Sequence, residues 1–369
     1  MNHRETTLFY TIALTLVPSW SKILLQKLLL ACGSARAVFE AARPTAAASP
    51  LSSLRAEQLR AAQRDVFTRA EKELEYIRKH QVRTFLFGEE DYPFRLSQCP
   101  DAPLVLFGRG RLPFNLSRQL AVVGSRHPTA EGLRLARQTV YALADCQPVV
   151  VSGLARGVDG EAHQSALERR LPTIGVLGHG LDTVFPAEHR GLMERMLEQG
   201  GVLTEYVSVT PPLPPNFPPR NRIIAGLSDA VVVVEARQRS GALISANLGF
   251  AYSREVFAYP GRITDRCSEG CNHLIRANKA ALLQHPFEVA EALGWAAVDQ
   301  PSDAPLRIPF ELDAKEQRVY ELVSRLTDPD ADTLVASSGF SVAELSALLL
   351  SLECKGVLQR VAGLRYRCC

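Results

Sequence analysis

The residues of this chain best suited to chemistry are arginines set beside glycines and small polar residues, and the chemistry they suit is anion binding. Three sets stand out: Gly124-Ser125-Arg126, then Phe217-Pro218-Pro219-Arg220-Asn221-Arg222, then Arg239-Ser240-Gly241. Glycine lets backbone N–H groups approach an anion closely, and a helix N-terminus adds a favourable dipole. The guanidinium fork matches phosphate geometry. The stretches that carry these sets lack Asp and Glu altogether: 102–130 with Arg109, Arg111, Arg118 and Arg126; 207–227 with Arg220 and Arg222; 236–254 with Arg237, Arg239 and Arg254. The expectation is that all three windows fall at or beside one sheet edge. A chain of net charge +3 would then hold its positive charge on one face, as phosphate-backbone binding requires.

Each residue has a second reading. Arg126 is either a phosphate ligand or the ion-pair partner of a carboxylate such as Asp159 or Glu235. Arg220 is the better ligand candidate within its cluster, while Asn221 and Arg222 either meet the ligand or brace loops through backbone carbonyls. Phe217, read as exposed in a proline-rich loop, either stacks on a base or plugs the loop onto the core. Ser240 reads as a helix N-cap whose helix can also receive a phosphate. Asp159 and His163, four apart, fit a cap and a packed imidazole better than a catalytic pair.

Catalytic signatures are missing. The chain has no GxxxxGK[ST], no G-x-S-x-G and no HExxH, and GSRHPTAEG is not a dinucleotide fingerprint. No catalytic residue and no cofactor is therefore expected. Cys267, Cys271 and His273 have the look of metal ligands, but no fourth partner stands nearby, so no metal is expected either. The eight cysteines form no regular framework, and without a signal peptide they read as reduced cytosolic thiols. The amino-terminal apolar run is too short and too polar-flanked for membrane insertion.

The elements that position these residues follow from periodicity. Residues 1–76 repeat apolar side chains at helical spacing, with Gly33 as a stop, Ser34 as the next N-cap and PTAAASPLSS as a connector. From 119 to 295 the pattern becomes short, nearly continuous apolar runs: QLAVVG, PVVVSG, PTIGVLG, GVLTEY, AVVVVEA and EVFAYPG. Such runs alternating with helices predict a doubly wound parallel α/β sheet whose ligands bind beyond the strands' carboxyl ends. Residues 296–310 read as a linker. Residues 311–369 read as helices followed by a hairpin turning at Gly363, the layout of a winged helix, with 7 Lys+Arg against 9 Asp+Glu. That balance suits protein contact better than DNA.

AVVGSR, SGLARGVDGEAH, GLDTVFP, FPPRNRIIAGLSDAVVVVEA, RSGALISA and VFAYPG…GCNHLI follow one another in order. Together they resemble the DNA-processing protein A family, also called Smf, over residues 80–295. The resemblance implies an extended Rossmann domain that binds single-stranded DNA without sequence preference, loads the RecA recombinase in natural transformation, and acts as a cytoplasmic homodimer. It implies a phosphate contact for Arg126 and a base contact for Phe217. The position three before Phe217, a lysine in some relatives, is Pro214 here, so a second cation is expected from Arg220 or Arg239. Residues 1–76 resemble a sterile-alpha-motif or helix-hairpin-helix-like domain. The alternative function is a nucleotide sensor or phosphoribohydrolase-like enzyme using the same cleft. Against it, EARQRSGALISANLGF lacks that group's Pro-Gly-Gly-x-Gly-Thr run and has Asn247 in place of an acid.

Overall fold

The structure is a computed structural model of the 369-residue chain, and it describes residues 2–43, 51–295, 312–326, 329–355, 357–361 and 365–368. The linker expected at 296–310, most of the connector after residue 43 and the turn at Gly363 lie outside the described residues. The chain divides into two compact units, Met1–Val298 and Asp299–Cys369.

The first unit opens with four helices, α1 (His3–Thr15), α2 (Lys22–Cys32), α3 (Ala35–Ala41) and α4 (Ser53–His80). Gly33 ends α2 at φ +77°, and the Ser34 hydroxyl accepts the Ala37 N–H to start α3, as the sequence predicts. Then come β1 (Arg83–Leu86), α5 (Phe94–Ser97), β2 (Val105–Gly110), β3 (Gln119–Val123), α6 (Ala130–Ala142), β4 (Val149–Ser152), α7 (Val158–Glu168), β5 (Thr173–Val176) and α8 (Arg190–Gln199). They are followed by β6 (Gly201–Thr204), α9 (Phe217–Leu227), β7 (Ala230–Val233), α10 (Gly241–Ala251), β8 (Glu255–Ala258), α11 (Glu269–Arg276), β9 (Ala281–Leu282) and α12 (Phe287–Ala292).

The sheet runs in the order β1-β2-β6-β5-β4-β3-β7-β8-β9. From β6 to β9 every pairing is parallel, while β1–β2 and β2–β6 are antiparallel. All six strands read from the apolar runs are present, and residues 83–110 and 281–282 add three more. The chain builds outward from β3 to β6, then returns to lay β7 on the other side of β3. The switch point therefore lies between β3 and β7, where a doubly wound sheet leaves a crevice at its carboxyl edge.

Strands buried on both faces explain the runs. Leu120, Val122, Val150 and Val232 pack against α6, α7 and α12 on one face, while Ala121, Val123, Val151 and Val233 pack against α9, α10 and α11 on the other. The amino-terminal helices share a further hydrophobic cluster with α8 and with Val105 and Phe107 of β2 and Val202 of β6. Helices α1 to α4 thus form a layer on the antiparallel side of this sheet.

In the second unit, α13 (Ala314–Arg325), α14 (Ala331–Ser338) and α15 (Val342–Cys354) precede the antiparallel pair β10 (Leu358–Val361) and β11 (Arg365–Cys368). Val319, Val323, Leu334, Leu345, Leu349 and Leu352 form its own core. No single described helix is long and apolar enough to cross a membrane.

Candidate nucleic-acid interface

A cavity of about 490 Å³ opens at the β3–β7 switch point. The turn after β3 supplies Gly124, Ser125 and Arg126, the start of α9 supplies Phe217, Arg220 and Asn221, and the start of α10 supplies Ser240 and Gly241. Eight of the ten expected site residues are therefore brought together from one turn and the starts of two helices, separated in sequence.

Arg126 is exposed and, among the described residues, has no carboxylate partner. Neither acid suggested for it pairs with it. Glu235 accepts the backbone N–H and hydroxyl of Thr129, the N-cap of α6. Asp159 accepts the Gly153 N–H at 3.1 Å. The Arg126 guanidinium instead lies over the ring of Phe217, 5.2 Å from its centroid.

Phe217 is the first residue of α9 and is half-buried, not an exposed loop residue as the prolines suggested. Two prolines at helix positions two and three explain the error, because the first turn of a helix needs no donor from them. The ring packs on Gly178, where a Cβ would come within 2.8 Å of it, and tilts 34° from Phe185 at 5.8 Å between centroids. Phe185 is 43% exposed and also lines the cavity.

Arg220 corrects a second expectation. Its side chain is 3% exposed, and its guanidinium donates to the Gly153 carbonyl at 2.7 Å and to the Val176 carbonyl. It floors the cavity rather than reaching into solvent. Burial, with the nearby Arg126, lowers its pKa to about 10, and the neighbouring Asp159 works the other way; it remains charged at neutral pH. Burial raises the Asp159 pKa, and Arg220 opposes that shift. Asn221 braces, donating from Nδ2 to the Gly241 carbonyl at 3.0 Å and so tying α9 to α10.

Arg222 is not part of the cavity. It is 5% exposed and pairs with the buried Glu205 at 2.5 Å, because two residues along the helix rotate it away from Arg220. Arg239 also lies outside the lining and is exposed at φ +65°; Arg237 takes its place. Ser240 has the extended backbone of an N-cap, yet its hydroxyl makes no capping bond. Its buried Oγ has no partner among the described residues. The first turn of α10 therefore meets the cavity with its dipole uncapped.

The three acid-free windows do not share one edge. Arg118 precedes β3 and donates to the Cys146 carbonyl, Arg254 precedes β8 and donates to the Arg95 and Gly226 carbonyls, and Arg111 bonds through its N–H to Gly200 just before β6. All three lie at the amino edge of the parallel strands, Arg111 because β2 runs antiparallel to β6 and ends beside its start. A window that spans a whole strand samples both ends of the sheet, which sequence spacing alone does not separate. The sequence reading named Arg237 only as a charge of its acid-free window and passed over Phe185 and Ser245; all three line the cavity. Cys271 is packed in the core, where burial pushes its thiol up to about 12.

The family model for DNA recombination-mediator protein A matches residues 83–294, more than half of the chain. The chain belongs to that family. A second model, the DprA winged helix domain, matches residues 301–363, in keeping with the three helices and strand pair of the second unit. Protein Smf of Escherichia coli K12 is 41% identical over 279 residues, covering 74% of each chain. The DNA processing protein DprA of Streptococcus pneumoniae is 42% identical over 193 residues, covering 52% of this chain and 68% of its own. The X-ray structure of DNA processing protein A from Streptococcus pneumoniae aligns with a TM-score of 0.56 at 37% identity, over 62% of this chain and 81% of that one. A structure of DNA processing protein A from Helicobacter pylori, solved to describe that protein's single-stranded DNA binding mode, aligns with a TM-score of 0.53 at 28% identity, over 58% of this chain and 95% of that one.

Proposed function

We propose that this family member binds single-stranded DNA without regard to sequence through the switch-point cavity, and that it hands the strand to the RecA recombinase during DNA processing in natural transformation. It acts as a cytoplasmic homodimer and not as an enzyme. The observation that carries the reading is Arg126, an exposed guanidinium without a carboxylate partner among the described residues, set over an aromatic ring at the mouth of a cavity floored by a second guanidinium. Phosphate suits the cation and the uncapped start of α10, and a base suits the rings of Phe217 and Phe185. None of these contacts reads the edge of a base, so sequence preference is weak. The single-stranded DNA binding of the Helicobacter pylori relative supports the same reading.

Labelled oligonucleotides of one length, single-stranded and duplex, test it. The single strand binds tighter and different sequences bind alike; equal or tighter duplex binding contradicts the proposal. Release of free base from nucleoside monophosphates would favour the phosphoribohydrolase-like alternative instead. Faster RecA filament growth on strands coated with single-strand-binding protein checks the loading step.

A further inference from the structure

The cavity receives no side chain from the amino-terminal helices, yet those helices grip the segment that forms one of its walls. Residues 205–216 connect β6 to α9, bring Pro212 and Pro214 to the cavity and lead directly into Phe217. Two buried polar contacts tie this connection to the helical layer. Near its start, Glu205 is gripped from both sides, by Lys22 of α2 at 3.0 Å and by Arg222 of α9 at 2.5 Å. Three residues on, Glu73 of α4, only 3% exposed, accepts both the backbone N–H of Ser208 at 2.8 Å and its hydroxyl at 2.5 Å.

The backbone beside that second contact is strained. Val209 has φ +58°, a conformation that a β-branched residue adopts only when its surroundings impose it. Its N–H is held by Asp182 at 2.9 Å, and its side chain is 82% exposed, so no core packing of its own fixes it there. Thr210 donates its N–H to the Val207 carbonyl at 3.3 Å and accepts the Gly180 N–H through its own carbonyl at 3.0 Å, and the Tyr206 hydroxyl donates to the Asn216 carbonyl at 3.0 Å. Glu73 is thus the anchor that the helical layer contributes to a strained loop, and Lys22 neutralises the carboxylate at the loop's root.

We infer that Glu73 and Lys22 are positioning residues for single-strand binding: the amino-terminal helices set the affinity of a cavity they do not line, by holding the β6–α9 connection in its binding shape. The inference rests on the single-strand reading of the cavity.

The full chain serves for the test, with four variants: Glu73→Ala, Glu73→Gln, Ser208→Ala and the double Glu73→Ala/Ser208→Ala. Affinity for a labelled single strand is measured across salt concentrations, and amide exchange is followed over 205–216. Glu73→Ala weakens binding by about threefold to thirtyfold, the range for residues that couple to a site without touching its ligand. The salt slope stays that of the wild type, because no phosphate contact is lost. Ser208→Ala weakens binding as well, and the double variant is no weaker than Glu73→Ala, the sign of one shared interaction. Glu73→Gln, which keeps an acceptor for Ser208, restores most of the affinity and remains informative should the alanine variant not fold. Exchange across 205–216 rises in Glu73→Ala. Wild-type affinity for Glu73→Ala, with Arg126→Ala impaired, overturns this inference and leaves the cavity reading standing. If the wild-type chain binds no single strand, the cavity reading fails, and unchanged exchange at 205–216 would then overturn the positioning role separately.

Discussion

The guanidinium carbon of Arg126 lies 5.2 Å from the ring centroid of Phe217. A cation over an aromatic face at an exposed site is worth about 0.5–1 kcal/mol, well below a desolvated ion pair. Arg126 is therefore kept at the cavity mouth by a contact weak enough to be exchanged for a phosphate. Phe217 in turn is fixed from behind by Gly178 and flanked by Phe185, so the ring stays where a base can reach it.

That arrangement separates two roles for Phe217. Phe217→Ala weakens single-strand binding by about 1–3 kcal/mol, the value of one stacked base, and leaves the salt slope unchanged. Phe217→Leu refills most of the volume but offers no π-face. If the ring is a stacking platform, the leucine variant is nearly as weak as alanine in an anisotropy titration. Wild-type affinity for leucine would reduce Phe217 to a plug.

The floor of the cavity depends on a missing side chain. A Cβ on Gly153 would sit 2.6 Å from Arg220 Nη2 and 2.7 Å from Asp159 Oδ2. Gly153→Ala forces the buried guanidinium off its two carbonyl acceptors, and overpacking of this kind costs about 1–3 kcal/mol. Urea denaturation is expected to register that loss, accompanied by weaker single-strand binding.

Arg222 predicts the opposite division between stability and binding charge. Breaking a buried pair outright costs about 3–5 kcal/mol, and Lys22, 3.0 Å from Glu205, keeps the loss below that range. Arg222→Met lowers the unfolding midpoint sharply because Glu205 keeps only Lys22. In the folded fraction the salt slope of binding matches the wild type, since Arg222 meets no phosphate.

These residues mark how far the sequence could be read. Runs such as AVVVVEA identified the strands because a strand buried on both faces has no polar register to keep. The carboxyl-edge rule then brought Gly124, Ser125, Arg126, Ser240 and Gly241 to one place. What stayed hidden was rotation about α9: Arg220 and Arg222 look alike in sequence, and their burial and partners are decided by helix phase and by Glu205. The ends of the sheet were equally hidden, since Arg111, Arg118 and Arg254 share acid-free windows with Arg126 and Arg237 but lie at the amino edge, Arg118 and Arg254 because they precede β3 and β8, Arg111 because it follows the antiparallel β2. Phe185 gave only the signal of an aromatic in a post-strand loop, which becomes meaningful once its ring is seen beside Phe217.

Stability should fall in mild acid through His163. This imidazole is fully buried on α7, with Nδ1 against the Thr173 hydroxyl at 2.6 Å and no partner for Nε2 among the described residues. Burial lowers its pKa from 6.5 to about 3, helped by His189 and Arg220. Below pH 6.5 the unfolded chain takes up a proton that the folded chain refuses, so stability declines as pH drops from about 6.5 towards 3. Between pH 7 and pH 5 this one group removes about 2 kcal/mol. His163→Gln flattens the pH dependence of the urea midpoint by roughly one proton over that window; an unchanged dependence would contradict a neutral buried imidazole.

The most direct measurement is the salt dependence of single-strand affinity for the wild type and Arg126→Ala. For a single strand, the logarithm of affinity falls with the logarithm of salt by about 0.7 per neutralised phosphate. Loss of the Arg126 contact is predicted to weaken binding and to make that slope shallower by about 0.7. An Arg126→Ala protein that binds with the wild-type affinity and slope would contradict the assignment of this guanidinium to the DNA backbone.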